Sequence, residues 1–234
     1  MTLGAAILAA SLATASAGPD SSGATAASSE GPFIGFDAGA FWLQGLSAGS
    51  GPLNVDVKFK TNWGFDVPIG YNFGNGFSLS ISAGYWDSHF SSVTGNSGGL
   101  SQNAEVNGGI AFIPVMFNGA YKFNLSDRFH WYLGAGAGAV HEDASFGAYD
   151  PIGIPSSISY GQLGGQIATF GGMTASTWDF GFQLFTGFSF DITSNVSLGV
   201  GYRFLHVNSN ISVNGSSSSD FNGSSVEVGL GWKF

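Results

Sequence analysis

From Pro32 onward, apolar and polar positions alternate with a period of two, the pattern of strands whose two faces meet different surroundings. The alternation predicts eight strands. The first spans about Phe33 to Trp42, with Ile34, Phe36, Ala38, Ala40 and Trp42 on one face. The second, about Asn62 to Phe73, carries Trp63, Phe65, Val67, Ile69, Tyr71 and Phe73, and the third Phe77, Leu79, Ile81, Ala83 and Tyr85. A fourth, about Ile110 to Phe123, precedes a fifth that runs from Phe129 to Ala139. The sixth presents Trp178 to Phe190, the seventh Val196 to Phe204 and the eighth Val226 to Phe234.

The opposite face is small and polar, with sparse charges of both signs. Connections alternate in length: short turns are expected near 74–76, 124–128 and 192–195, long loops near 43–60, 87–108, 141–176 and 208–223. An even strand number follows, with both chain ends on the short-turn side.

Alternation alone fits either a membrane barrel or a soluble barrel with an apolar interior. Composition separates them. Charged residues are 9% of the 234 residues, against roughly 25% in soluble domains. A soluble barrel would show water a face rich in Lys and Glu; here that face is mostly Gly and Ser, suited to a cramped lumen. The apolar face then meets lipid, and aromatics at the strand ends match two interfacial girdles. No run reaches the ~20 apolar residues of a membrane helix, which leaves a closed sheet as the structure that satisfies its backbone in lipid. The expected fold is an all-β, eight-stranded, antiparallel, up-and-down transmembrane barrel with short periplasmic turns and long extracellular loops.

Residues 1–17 read as a signal peptide: Leu3 to Leu12 is a short apolar run, and Ala15-Ser16-Ala17 has the small-x-small form of a cleavage site. Residues 18–31, rich in Ser, Ala and Gly, read as a flexible lead-in, and 32–234 as the barrel. The net charge of −9 argues against nucleic acid. Absent Cys excludes disulfides and thiolate metal sites.

The stretch "FGFQLFTGFSFDITSNVSLGVGYRF" (Phe180 to Phe204), the final "VEVGLGWKF", and the central "IPVMFNGAYKF" and "WYLGAGAGAV" resemble the outer-membrane β-barrel family of opacity-type, OmpA-like and OmpX-like small barrels. The resemblance implies a fold and a bacterial outer-membrane location more firmly than an activity. Leu230, Trp232 and Phe234, on one face, resemble the C-terminal signal read by the barrel-assembly machinery, whose physical sense is strand addition at an exposed edge.

Seven inward ionisable residues, Asp37, Asp66, Lys122, Asp179, Arg203, Glu227 and Lys233, are candidates for a lumen charge network, with Arg203 and Glu227 the preferred pair. Buried charges need partners, so a structural plug is the favoured role over conduction. "RFLHVNSN" (Arg203 to Asn210) weakly resembles the His-x-Ser-Asn segment of the outer-membrane lipid A deacylases. The resemblance makes Ser209, His206 and Asp220 candidate catalytic groups. However, positions three apart on a regular strand face opposite sides, and an interfacial His is the simpler reading. The Gly134-Ala135-Gly136-Ala137-Gly138 run lacks the strand-to-helix context of a dinucleotide loop. His141-Glu142-Asp143 reads as a solvated loop segment rather than a cation site.

The expectation is a non-enzymatic surface-interaction or envelope-integrity protein without cofactor or metal. Its expected partners are outer-membrane lipids, the assembly machinery and an extracellular ligand of the loops, with the protein itself a monomer. A narrow channel and a lipid A acyl hydrolase are the alternatives.

Overall fold

The computed structural model describes residues 30–50, 53–97, 100–104, 108–146, 173–209 and 220–234. Eight strands form a closed ring: β1 (Gly31–Leu43), β4 (Asn62–Asn72), β5 (Phe77–Ser97), β7 (Gly108–Asn124), β8 (Phe129–Phe146), β9 (Met173–Asp191), β10 (Val196–Asn208) and β11 (Phe221–Lys233). Three short strands lie between them: β2 (Leu46–Ser50), β3 (Leu53–Phe59) and β6 (Leu100–Ala104). Every neighbouring pair in the ring is antiparallel, and β1 pairs with β11 from Phe33↔Lys233 to Leu43↔Gly223. That last pairing closes the barrel and leaves no strand edge to be satisfied by lipid. The expected signal peptide lies outside the described residues. Residues 18–29 of the expected lead-in also lie outside the described residues, and Gly31 is paired with Asn72.

The three tight turns lie where Gly, Asn, Ser and Thr cluster. Gly74 and Gly76 take φ values of 74° and 91°, conformations that a side chain would strain. Asn75 Oδ1 accepts from the Phe77 amide at 3.0 Å, and Ser126 Oγ accepts from the Phe129 amide at 3.1 Å. Thr193 Oγ1 accepts from the Val196 amide at 3.0 Å, while Asn195 Nδ2 donates to the Lys233 carbonyl at 3.0 Å and ties this turn to β11.

The outer wall is apolar through the lower part of every ring strand. Ile69 and Ile81 are each 59% exposed, Phe117 57% and Val228 54%, so lipid is their solvent. Rings pair along the lower rim, Phe123 with Trp131 at 4.7 Å and Phe129 with Phe188 at 5.4 Å. Trp63, Phe65 and Tyr85 cluster toward the upper one.

Above the lipid the picture differs from a barrel topped by irregular loops. β5 has 21 residues, β9 19 and β8 18, about twice the ~9–11 a strand needs to cross a bilayer. Much of what the sequence assigns to the loops at 43–60 and 87–108 is therefore sheet. β2 and β3 form a hairpin that pairs with the extension of β5, and β6 pairs with that extension as well. A strand continuing past the membrane needs partners for its backbone groups, and these segments supply them.

Strand parity persists into this upper section, but polarity inverts. On β5 the outward series Phe77, Leu79, Ile81, Ala83, Tyr85 becomes Asp87 and His89. The inward series Ser78, Ser80, Ser82, Gly84 becomes Trp86, Ser88 and Phe90. β10 does the same: Tyr202 and Phe204 give way outward to His206 and Asn208, while Arg203 gives way inward to Leu205 and Val207. The upper interior is thus a water-excluding core built on Phe41, Trp86, Phe112, Met116, Val140 and Phe221. Phe41 lies 5.3 Å from Trp86, and Phe112 5.6 Å from Phe221, centroid to centroid. Below the switch the wall is solvated by lipid; above it, water lies outside and the apolar residues turn in.

Candidate functional site

The lumen is crossed by one polar layer directly beneath the apolar core. Arg203 on β10 is its centre. Its Nε and Nη2 donate to the two oxygens of Glu227 on β11 at 2.9 and 3.0 Å, a two-pronged pairing that fixes both side chains. Nη1 lies 3.3 Å from Asp66 Oδ2 on β4 and donates to Gln183 Oε1 on β9 at 3.0 Å. Nη2 also lies 3.9 Å from Asp37 on β1. The guanidinium faces Phe185 at 5.6 Å and Trp86 at 5.9 Å, so aromatic faces add to its stabilisation.

From Gln183 the layer continues around the ring. Its Nε2 donates to Asn118 Oδ1 on β7 at 2.5 Å, and Asn118 Nδ2 donates to Ser82 Oγ on β5 at 3.0 Å. Seven of the eight ring strands therefore contribute to one chain of hydrogen bonds and ion pairs. Tyr132 of β8 stands beside it, 6.5 Å from the Phe185 ring. Glycines make this possible. A Cβ on Gly229 would collide with the Asp37 carboxylate, one on Gly136 with Asn118, and one on Gly201 with the Tyr132 hydroxyl.

The seven ionisable candidates fall into three groups. Asp37, Asp66, Arg203 and Glu227 form the layer just described. Lys122 and Lys233 sit at the periplasmic end, where Lys233 Nζ is 3.5 Å from Asp191 Oδ2 and His130 Nε2 is 3.0 Å from the same oxygen. Asp179 is buried in the extracellular half, close enough to Glu142 for their charges to interact. Gln183, Asn118 and Ser82, which extend the layer, were readable from their inward parity and their amide or hydroxyl chemistry, yet only the ring brings them into line.

Glu142 corrects the expectation of a solvated His141-Glu142-Asp143 segment: it points inward, is fully buried, and accepts from Ser209 Oγ at 2.7 Å. The three residues lie on β8, so parity places Glu142 inside while His141 stacks outside on Trp178 at 4.9 Å. The deacylase-like set is not assembled. Ser209 is buried against Glu142, whereas His206 faces outward, stacks on Phe182 at 4.8 Å and binds Asn222 and Asn208. Leu230, Trp232 and Phe234 share the outer face, 48%, 49% and 71% exposed.

A closed barrel with a lipid-facing wall and a filled lumen defines the class of small outer-membrane barrels. The chain belongs to the family described as the outer membrane protein beta-barrel domain, whose family model matches residues 4–234. Its place is accordingly the bacterial outer membrane.

Among solved structures it is similar to Neisserial surface protein A, with 17% identity, a TM-score of 0.49, and 87% of this chain and 97% of that one covered. It is similar also to Ail, the attachment invasion locus protein of Yersinia pestis, in complex with the heparin analogue sucrose octasulfate. There the identity is 14%, the TM-score 0.44, and the coverage 87% of this chain and 99% of that one. The outer membrane protease OmpT from Escherichia coli matches at 11% identity and a TM-score of 0.48, over 90% of this chain and all (100%) of that one. No curated protein matches the chain.

Proposed function

We propose that this protein is a non-enzymatic, plugged barrel that holds a surface-exposed sheet and loops for interaction or envelope integrity. One observation carries the reading: the lumen is blocked twice in series, by the Arg203 layer and by the aromatic core above it. An eight-stranded barrel has room for little besides its own side chains. A rigid support that projects sheet beyond the membrane suits recognition, because binding residues gather on loops that a scaffold positions. Outer-membrane lipids solvate the wall in this reading, the protein acts as a monomer, and Leu230, Trp232 and Phe234 serve as the strand-addition signal during assembly.

Planar-bilayer recording tests the plug. Reconstituted protein is expected to stay silent at every voltage; steps of constant unit conductance would overturn the proposal. The surface role is tested on intact cells with and without the protein, by retention on matrix-coated and cell-coated surfaces and by exclusion of a bulky dye. A protein-dependent change in either supports the reading, and unchanged values in both sink it.

A further inference from the structure

We propose that the periplasmic half of the lumen is a binding pocket for a small zwitterion, holding an ammonium group against the acids around Arg203 and a carboxylate at Lys122 and Lys233. A cavity of about 220 Å³ extends from the Arg203 layer to the last inward rung of the barrel. That is below the roughly 300–1,000 Å³ of drug-sized ligand sites, so the occupant is small. The inference is independent of what the extracellular surface binds.

The two ends of the cavity carry opposite surpluses of charge. At the closed end three carboxylates, Asp37, Asp66 and Glu227, face one guanidinium. Asp37 is the loosest of the three, 3.9 Å from Arg203 with 29% of its side chain exposed, and it lines the cavity. It is the acid with capacity left for a second cation. At the other end Lys233 shares Asp191 with His130, while Lys122 lines the cavity beside Lys233, so two ammonium groups face the one carboxylate of Asp191. Two neighbouring ammonium groups inside a narrow barrel repel each other, and a ligand carboxylate would relieve them.

Spacing selects the ligand class. Lys122 lies four positions along β7 from Asn118, which belongs to the closing layer, so the two rungs are roughly 13 Å apart along the strand. The Lys122 ammonium lies beside that of Lys233 at the periplasmic end, so two ion-pair contacts of about 3 Å each still leave several ångströms between the charged groups of the ligand. A linear amino acid with a few methylenes between ammonium and carboxylate fits; an α-amino acid backbone alone is short for it. Tyr132 lines the cavity between the two ends.

The probe is ε-aminocaproate, titrated into the refolded full-length protein in nanodiscs while amide NMR shifts are followed. N-acetyl-ε-aminocaproate, without the ammonium, and ε-aminocaproamide, without the carboxylate, are the controls. The zwitterion is expected to give saturable shifts at Lys122, Ser197 and Gly229, and each control to bind at least about tenfold more weakly. Lys122→Met is expected to weaken the zwitterion by a similar factor without altering ε-aminocaproamide, and it removes a like-charge neighbour of Lys233 while leaving the Lys233–Asp191 pair in place. No saturable shift up to about 50 mM, equal response to the controls, or shifts confined to the outer wall would each overturn the proposal.

Discussion

Arg203 and Glu227 form a two-pronged ion pair at 2.9 and 3.0 Å across neighbouring strands, at the level where the lumen closes. The register does not place them directly opposite: Arg203 pairs with Ser225, and Glu227 with Gly201. The diagonal lets the long Arg203 side chain reach a carboxylate two positions along the neighbouring strand, while the Tyr132 hydroxyl fills the space over Gly201. Ser225, opposite Arg203, donates to the same carboxylate.

Removing Arg203 leaves three acids without their cation, so Arg203→Met is expected to destabilise the barrel by about 3–5 kcal/mol. Equilibrium urea unfolding in lipid vesicles, followed by tryptophan fluorescence, measures this. Glu227→Gln, which keeps the shape and leaves Asp66 and Asp37 for Arg203, is expected to cost less. Equal stability of Arg203→Met and the parent would show that the layer does not hold the barrel closed.

A charge placed on the outer wall tests the lipid reading. Phe117→Arg is expected to cost roughly 2–4 kcal/mol in vesicles if its position is near the bilayer midplane. The same substitution at Asp87, outward but above the polarity switch, is expected to be nearly neutral after allowing for its bond from Asn62. Similar costs at both positions would contradict the boundary drawn by the inversion of faces.

Gly64 supports the aromatic core. A Cβ there would enter the Trp86 ring, which is buried against Phe41 and Arg203. Gly64→Ala is therefore expected to lose about 1–3 kcal/mol through overpacking. Gly119→Ala, whose Cβ would meet only ordinary contacts at 3.7 Å and beyond, is the neutral control in the same unfolding assay.

Ser209 is expected to be structural. Ser209→Ala removes a donor to a buried carboxylate and should cost about 1–3 kcal/mol, while lipid A mass spectra from expressing cells stay the same for parent and variant. Loss of acyl chains from lipid A in the parent but not in the variant would reverse this assignment.

Much of the architecture was legible in the chain because a strand's two faces are set by local parity. Ile34 and Phe36 had to share a side, Gly35 and Asp37 the other, and the shortage of Lys and Glu decided that lipid wets the first. The upper core was also written there, in the exchange of Ser82 and Gly84 for Trp86 and Phe90 on one parity. That signal is easily passed over when alternation is read without asking whether its sense reverses.

What local pattern determined by itself was therefore the number of lipid-crossing strands, their faces and their turns. Only the closed ring decided which inward charges meet. Asp37, Asp66, Arg203 and Glu227 converge from four strands, whereas Lys122 and Asp179, of the same parity, lie at opposite ends. The reason is physical: height along the barrel depends on the stagger between strands, accumulated around the whole circuit, and no single strand carries that information. The burial of Glu142 follows the same rule, since the length of β8 beyond the membrane, not the polarity of three adjacent residues, carried it into the core.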